Sequence, residues 1–164
     1  MNIGDLFFGR RIRQNHALEH ATVTILAQKI PNLRVSARSS PQGFVIFGTV
    51  DLGKVRAAVE EALVRLQAGE VDLAIHPNCG TNVAVGLSFT AISCVLALTL
   101  MRPRARLFSA AVGLLGAGAI ARPLGAVVQR HVTTLPDLRG VRISDIARRS
   151  YLGLATVEVK TVQG

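Results

Sequence analysis

Two long stretches without a charge limit what this chain can become. Val83 to Met101, VAVGLSFTAISCVLALTLM, holds nineteen residues and no Asp, Glu, Lys or Arg. As a helix it spans roughly 28 Å, close to the ~30 Å hydrocarbon core of a bilayer. A second run, Leu107 to Ala121, is fifteen residues long before Arg122. It reaches spanning length by continuing through Pro123 to Val128, with the Arg122 side chain snorkelling to the interface. The alternative is a core hairpin buried in a soluble domain. The remainder of the chain is too small to wrap both helices.

Small residues recur at every fourth position of the second run: Ser109, Gly113, Ala117, Ala121 and Gly125. Such a stripe lets another helix approach closely, and Gly86, Thr90 and Cys94 offer the same spacing in the first run. A tight antiparallel hairpin follows, turned by a loop at Arg102–Arg106, with both flanking parts on one side of the membrane.

Those flanks read as one small soluble domain. A helix is predicted from Asn15, as N-cap, to about Ile30. Leu33–Ser39 and Phe44–Val50 read as strands joined by Ser40-Pro41-Gln42-Gly43, with proline and glycine where a type I turn takes them. Asp51 can cap a helix running to Ala68, with Val55, Val59, Leu63 and Leu66 on one face. Val71–Ile75 alternates as a strand. Beyond the hairpin, Val141–Ile146 and Leu154–Val162 look like two more strands. Neither half is large enough to fold alone, so the late strands are expected to complete the sheet begun before the membrane. The predicted fold is α+β, a small sheet-and-helix domain (1–82 and 129–164) split by an antiparallel transmembrane helix hairpin (83–128, with helices 83–101 and 107–128).

Charge agrees with this division. The chain carries 19 Lys+Arg against 10 Asp+Glu, a net +9, in a composition that is 49% hydrophobic and only 18% charged. Residues 1–82 contribute +2, the loop 102–106 contributes +3, and 122–164 contribute +4. No segment has the dense basic face with interleaved aromatics that nucleic-acid binding requires, so nucleic acid is not an expected partner. So high an apolar content excludes a disordered chain, and two cysteines exclude a disulfide scaffold. The first fourteen residues place Leu6-Phe7-Phe8 before Arg10, Arg11 and Arg13, the reverse of a secretory leader. They read as an interfacial foot on anionic lipid. The loop arginines favour a cytoplasmic loop, whereas Arg10, Arg11, Arg13, Arg122 and Arg130 favour a cytoplasmic domain. The second orientation is preferred, in the inner (plasma) membrane. Membrane lipids are the expected partners, with a homo-oligomer or another membrane protein against the small-residue faces.

The chemistry concentrates in two short motifs. In Asn15-His16-Ala17-Leu18-Glu19-His20, the histidines are i and i+4 on a helix, about 40° apart, and can face one ion. Glu19 lies close enough to orient or deprotonate a water. His76-Pro77-Asn78-Cys79-Gly80-Thr81-Asn82 sits between a predicted strand and the first membrane helix. Its Pro, Gly and Asn residues are turn formers, but that does not explain His76 or Cys79, both good zinc ligands. His131 follows the second run and is a further candidate ligand. A catalytic zinc wants three protein ligands and an open position: His16 and His20 with His76 or Cys79, and Glu19 as general base. Four ligands, His16, His20, His76 and Cys79, would make a closed structural site. Other readings have the histidines hydrogen-bonded or ligating a tetrapyrrole, or Cys79 as a nucleophile with a histidine base.

His16-x-x-Glu19-His20 resembles the H-x-x-E-H helix of inverzincin metallopeptidases. That resemblance implies zinc-dependent hydrolysis with Glu19 as the catalytic carboxylate and a downstream Glu as third ligand. Glu60, Glu61 and Glu70 are available here, and no motif selects one. Taken together, HALEHAT at 16–22 and HPNCGTN at 76–82, ahead of two membrane helices, resemble an uncharacterised family of small two-helix membrane proteins. Such sequences occur in cyanobacteria and related photosynthetic lineages. The resemblance covers 13–162 and implies architecture rather than an activity.

Overall fold

The computed structural model describes residues 3–100, 102–151 and 153–164. The chain divides into two compact units, Met1–His76 with Arg130–Gly164, and Pro77–Gln129. The first is α+β. A short helix α1 (Ile3–Phe7) leads into α2 (Arg10–Lys29), then the hairpin β1 (Ser36–Ser40) and β2 (Gly43–Phe47), then α3 (Leu52–Gln67) and a 3₁₀ turn at Val71–Ala74. After the second unit the chain adds β3 (Val141–Tyr151) and β4 (Leu154–Gln163).

The sheet is wholly antiparallel, in the order β1-β2-β4-β3. Strand β4 lies against β2, with Phe44 opposite Val159 and Ile46 opposite Val157. Half of the sheet therefore comes from beyond the inserted unit, as the size of each half requires. Phe44, Ile46, Val157 and Val159 turn inward and meet Leu18, Ile25 and Leu26 of α2 and Val55, Val59, Ala62 and Leu66 of α3. The inward set on α3 repeats at three and four residues, as a helix lying on a sheet must. Asp51 caps α3, its carboxylate accepting from the Lys54 backbone N–H at 3.0 Å.

Several local expectations change. Helix α2 begins at Arg10 behind Gly9, with no side-chain cap, so Asn15 is not an N-cap. It is buried mid-helix, donating to the Ser40 carbonyl at 2.8 Å and accepting from the Thr161 hydroxyl at 2.7 Å. Tertiary partners outcompete its local capping preference. Val71–Ile75 is not a strand. Bonds from Leu73 to Glu70 and from Ile75 to Asp72 wind it into the 3₁₀ turn. The first two strands are shorter than predicted, because Leu33–Val35 and Gly48–Val50 lie outside the ladder. Arg13, expected at the lipid surface, is 1% exposed. Of the N-terminal segment, Met1 and Asn2 lie outside the described residues.

The second unit is a pair of helices, α4 (Gly80–Leu100) and α5 (Pro103–Val128). The residues expected to form a loop at 102–106 mostly join α5, which begins with Pro103 in the first turn, where its missing N–H costs nothing. A Cβ built on Gly113 would fall 2.5 Å from Ser93 Cβ, and one on Gly86 3.2 Å from Ala121 Cβ. One on Gly125 would fall 2.0 Å from Asn82 Oδ1. The paired positions run in opposite directions, and Ala97 and Ala117 are buried along the same seam. The small residues thus line the helix–helix contact. Outside it, Leu87, Ile92, Leu98, Leu107, Phe108 and Leu115 are exposed. Two segments, Gly80–Leu100 and Leu107–Thr133, are long and apolar enough to cross a membrane. Only 6% and 11% of their most apolar windows are buried, so this is no core hairpin wrapped by the rest of the chain.

A candidate histidine metal centre

Helix α2 carries an unusual load of buried polar groups, and each is held. Arg13, Gln14, Asn15, Glu19, His20 and Thr22 are all buried. Such groups are tolerated inside only when hydrogen-bonded. Gln14 donates to the Asp137 carbonyl at 2.7 Å, and Thr22 returns its hydroxyl to the Leu18 carbonyl. Arg13 donates to Asp5 at 2.6 Å and to the carbonyls of His131 and Thr134, each at 3.2 Å. The helix is thereby stitched to the segment that follows α5.

The two motif histidines stand one turn apart on this helix. Their ring centroids lie 4.2 Å apart, and their ligand nitrogens fall within 4.8 Å of each other. Each Nδ1 faces a backbone carbonyl, Thr133 for His16 at 3.0 Å and Ala74 for His20 at 2.7 Å. A carbonyl oxygen only accepts, so each Nδ1 carries a hydrogen, and in the neutral ring the lone pair sits on Nε2. This is the tautomer in which metal-bound histidines are usually locked, the second nitrogen donating to a carbonyl or carboxylate. The 3₁₀ turn in place of the expected strand delivers the Ala74 carbonyl.

His76 completes a contiguous set, its ring centroid 5.8 Å from that of His20. Two imidazoles on one tetrahedral zinc hold their centroids about 5 Å apart, and the spacings of 4.2 and 5.8 Å straddle that value. Burial pushes the His76 pKa below its ordinary value. The neutral ring is the form that ligates a metal.

Glu19 is 7% exposed. Burial raises its carboxyl pKa, opposed by a hydrogen bond from Ser39 and by the charge of His16. Ser39 was invisible as a partner in the sequence. Only the period-two alternation of β1, which turns Ala37 and Ser39 inward opposite Ile46 and Phe44, carries any signal for it. The carbonyls of Thr133 and Ala74 have no side-chain signature at all.

His131 and the downstream glutamates fall elsewhere. His131 is exposed, and its carbonyl serves Arg13. Glu61 and Glu70 are engaged in surface ion pairs with Lys29 and Arg65, and Glu60 is exposed. Cys79 belongs to the second unit, where its Sγ meets the Thr81 hydroxyl at 3.3 Å. In the same unit Asn82 donates to the Pro77 carbonyl at 2.6 Å and accepts from Gln129 at 2.8 Å, fixing the turn of the second motif.

Residues 11–146 match the model of a domain of unknown function, DUF6391. The chain belongs to this family. A similar protein is an uncharacterized protein of the cyanobacterium Picosynechococcus sp., 43% identical over 134 residues, covering 75% of this chain. This chain spans 65% of that relative's length. No solved structure matches. The family relationship agrees with the cyanobacterial-type resemblance drawn from the two motifs and carries no activity with it.

Proposed function

We propose that this chain is a two-pass membrane protein whose soluble unit holds a zinc ion on His16, His20 and His76 and uses Glu19 as general base in hydrolysis of a peptide-like carbonyl. The observation that carries this reading is the histidine set itself: three adjacent rings, two of them anchored through Nδ1 to backbone carbonyls. Zinc on such ligands would supply a Lewis acid and lower the pKa of water to about 7. Glu19, buried and raised in pKa, would take the proton and hand it to the leaving group. Ser39 orients that carboxylate. Cys79, three residues along the chain from His76, is the proposed fourth ligand if the site is closed. The membrane part of the reading is supported by two helices long and apolar enough to span, most of whose apolar surface this chain leaves exposed. Arg10, Arg11, Arg122 and Arg130 favour the soluble unit on the cytoplasmic side of the plasma membrane.

The burial of Glu19 against Ser39 favours a second reading, a non-catalytic site in which the same histidines hold a structural metal or a tetrapyrrole and Glu19 is only a hydrogen-bond acceptor. Zinc content and hydrolysis of a fluorogenic peptide pool, measured on detergent-purified protein, separate the two. Hydrolysis predicts one zinc per chain, lost in His16→Ala and kept in Glu19→Gln with activity abolished. Zinc bound without activity in the wild type selects the structural site. A wild type purified in zinc-replete medium without zinc refutes both zinc readings.

A further inference from the structure

We infer that Leu6, Phe7 and Phe8, with Arg10 and Arg11, form a foot that enters the headgroup region of an anionic bilayer, held to residues 131–134 by the buried guanidinium of Arg13. The inference rests on the membrane reading above and adds a second, peripheral contact to it. Three consecutive large apolar side chains are exposed, at 65%, 72% and 44%. A soluble domain has no use for such a patch unless something covers it.

Its position within the first unit is fixed by covalent and hydrogen-bonded neighbours. A Cβ on Gly4 would fall 2.3 Å from the Val132 carbonyl oxygen, so the backbone of α1 lies directly on that segment. Arg13 reaches from α2 to Asp5 on one side and to the His131 and Thr134 carbonyls on the other, while the Leu135 N–H donates to the Arg13 carbonyl at 3.0 Å. Val132 is four residues past Val128, the last residue of α5, and inside the apolar segment Leu107–Thr133. Headgroup depth is the level at which aromatic and aliphatic side chains anchor.

Charge names the occupant. Arg10 and Arg11 follow the apolar triplet and are exposed, Arg10 also lying 3.5 Å from the Asp137 carboxylate. They match the phosphates of anionic phospholipid, while Asp5, the one acid nearby on α1, is spent on Arg13.

The chain has no tryptophan, which allows single reporters in the full-length protein. Phe7→Trp reports the foot, and Phe108→Trp, an exposed position in α5, reports hairpin insertion. Both are reconstituted in vesicles of phosphatidylcholine and phosphatidylglycerol with brominated acyl chains. The expected result is blue-shifted, bromine-quenched emission from both. Replacing phosphatidylglycerol by phosphatidylcholine, or adding Arg13→Met, should diminish quenching at Phe7→Trp and leave Phe108→Trp quenched. Quenching at Phe108→Trp with water-like emission at Phe7→Trp overturns the foot and leaves the membrane reading intact. Absence of quenching at both overturns the membrane reading and the foot with it. Equal quenching of Phe7→Trp in both lipid mixtures overturns the assignment to anionic lipid. Phe8→Trp repeats the measurement should Phe7→Trp fail to fold.

Discussion

Replacing Arg13 by methionine keeps most of the aliphatic stem and removes the guanidinium. Three charge-assisted hydrogen bonds are lost, one to Asp5 and two to the carbonyls of His131 and Thr134. Bonds to charged groups contribute about 1.5–3 kcal/mol each when buried, but Asp5 keeps about a third of its side-chain exposure and regains water. Arg13 is also relieved of an unpartnered buried Nε. The net destabilisation is therefore about 3 kcal/mol rather than the sum of three bonds. For a domain of this size that lowers the melting midpoint by roughly 10 °C. Asp5→Asn retains an acceptor and should cost about 1 kcal/mol. Thermal unfolding in detergent, followed by near-ultraviolet circular dichroism of Tyr151 on β3, reads the first unit. The double variant should be less destabilised than the two single changes added together, because the residues share one contact. An Arg13→Met protein that melts with the wild type would refute the claim that this cation holds α1, α2 and the post-α5 segment together.

Truncating Phe44, 1% exposed at the centre of the sheet, to alanine should destabilise the first unit by about 3–5 kcal/mol in the same melt. Asp51→Ala removes the α3 cap and should cost about 1 kcal/mol. In a Cys79→Ser, Cys94→Ser background, Gly86→Cys with Ala121→Cys should oxidise readily to an intrachain disulfide, detectable as a mobility shift, whereas Gly118→Cys with Ala121→Cys should not. Glu61 and Glu70 are held below the ordinary value of 4.5, first by hydrogen bonds from Lys29 and Arg65 respectively. Because their folded values are depressed, the stabilisation is present above pH 4.5 and fades as pH falls through the folded values, an effect that salt should weaken. NMR titration of the two carboxyls checks the direction.

What was legible in the sequence was what periodicity and long apolar runs encode. The uncharged run at 83–101 became α4, the four-residue spacing of small residues became the α4–α5 seam, and the late strands joined the early hairpin in one sheet. The Asp51 cap was equally readable, since its partner lies three residues away. Long-range demands were not readable. Asn15 looks like a cap because nothing local reveals that Ser40 and Thr161 will reach it. Arg13 looks like a lipid-facing arginine because its acceptors are backbone carbonyls more than a hundred residues on. Val71–Ile75 alternates like a strand, yet the fold needs the Ala74 carbonyl beside His20. For the site, the i, i+4 spacing put His16 and His20 together and the second motif flagged His76. The groups that fix their tautomers and orient Glu19 were silent, being carbonyls and one inward serine.

X-ray absorption at the zinc edge of the purified, zinc-loaded protein reads the ligand shell of the proposed site. Histidine ligation gives a shell of imidazole nitrogens at about 2.0–2.1 Å, with one sulfur at about 2.3 Å if Cys79 closes the site, and a nitrogen lost in each of His16→Ala, His20→Ala and His76→Ala. A shell of oxygen alone, or one unchanged by all three substitutions, would contradict it.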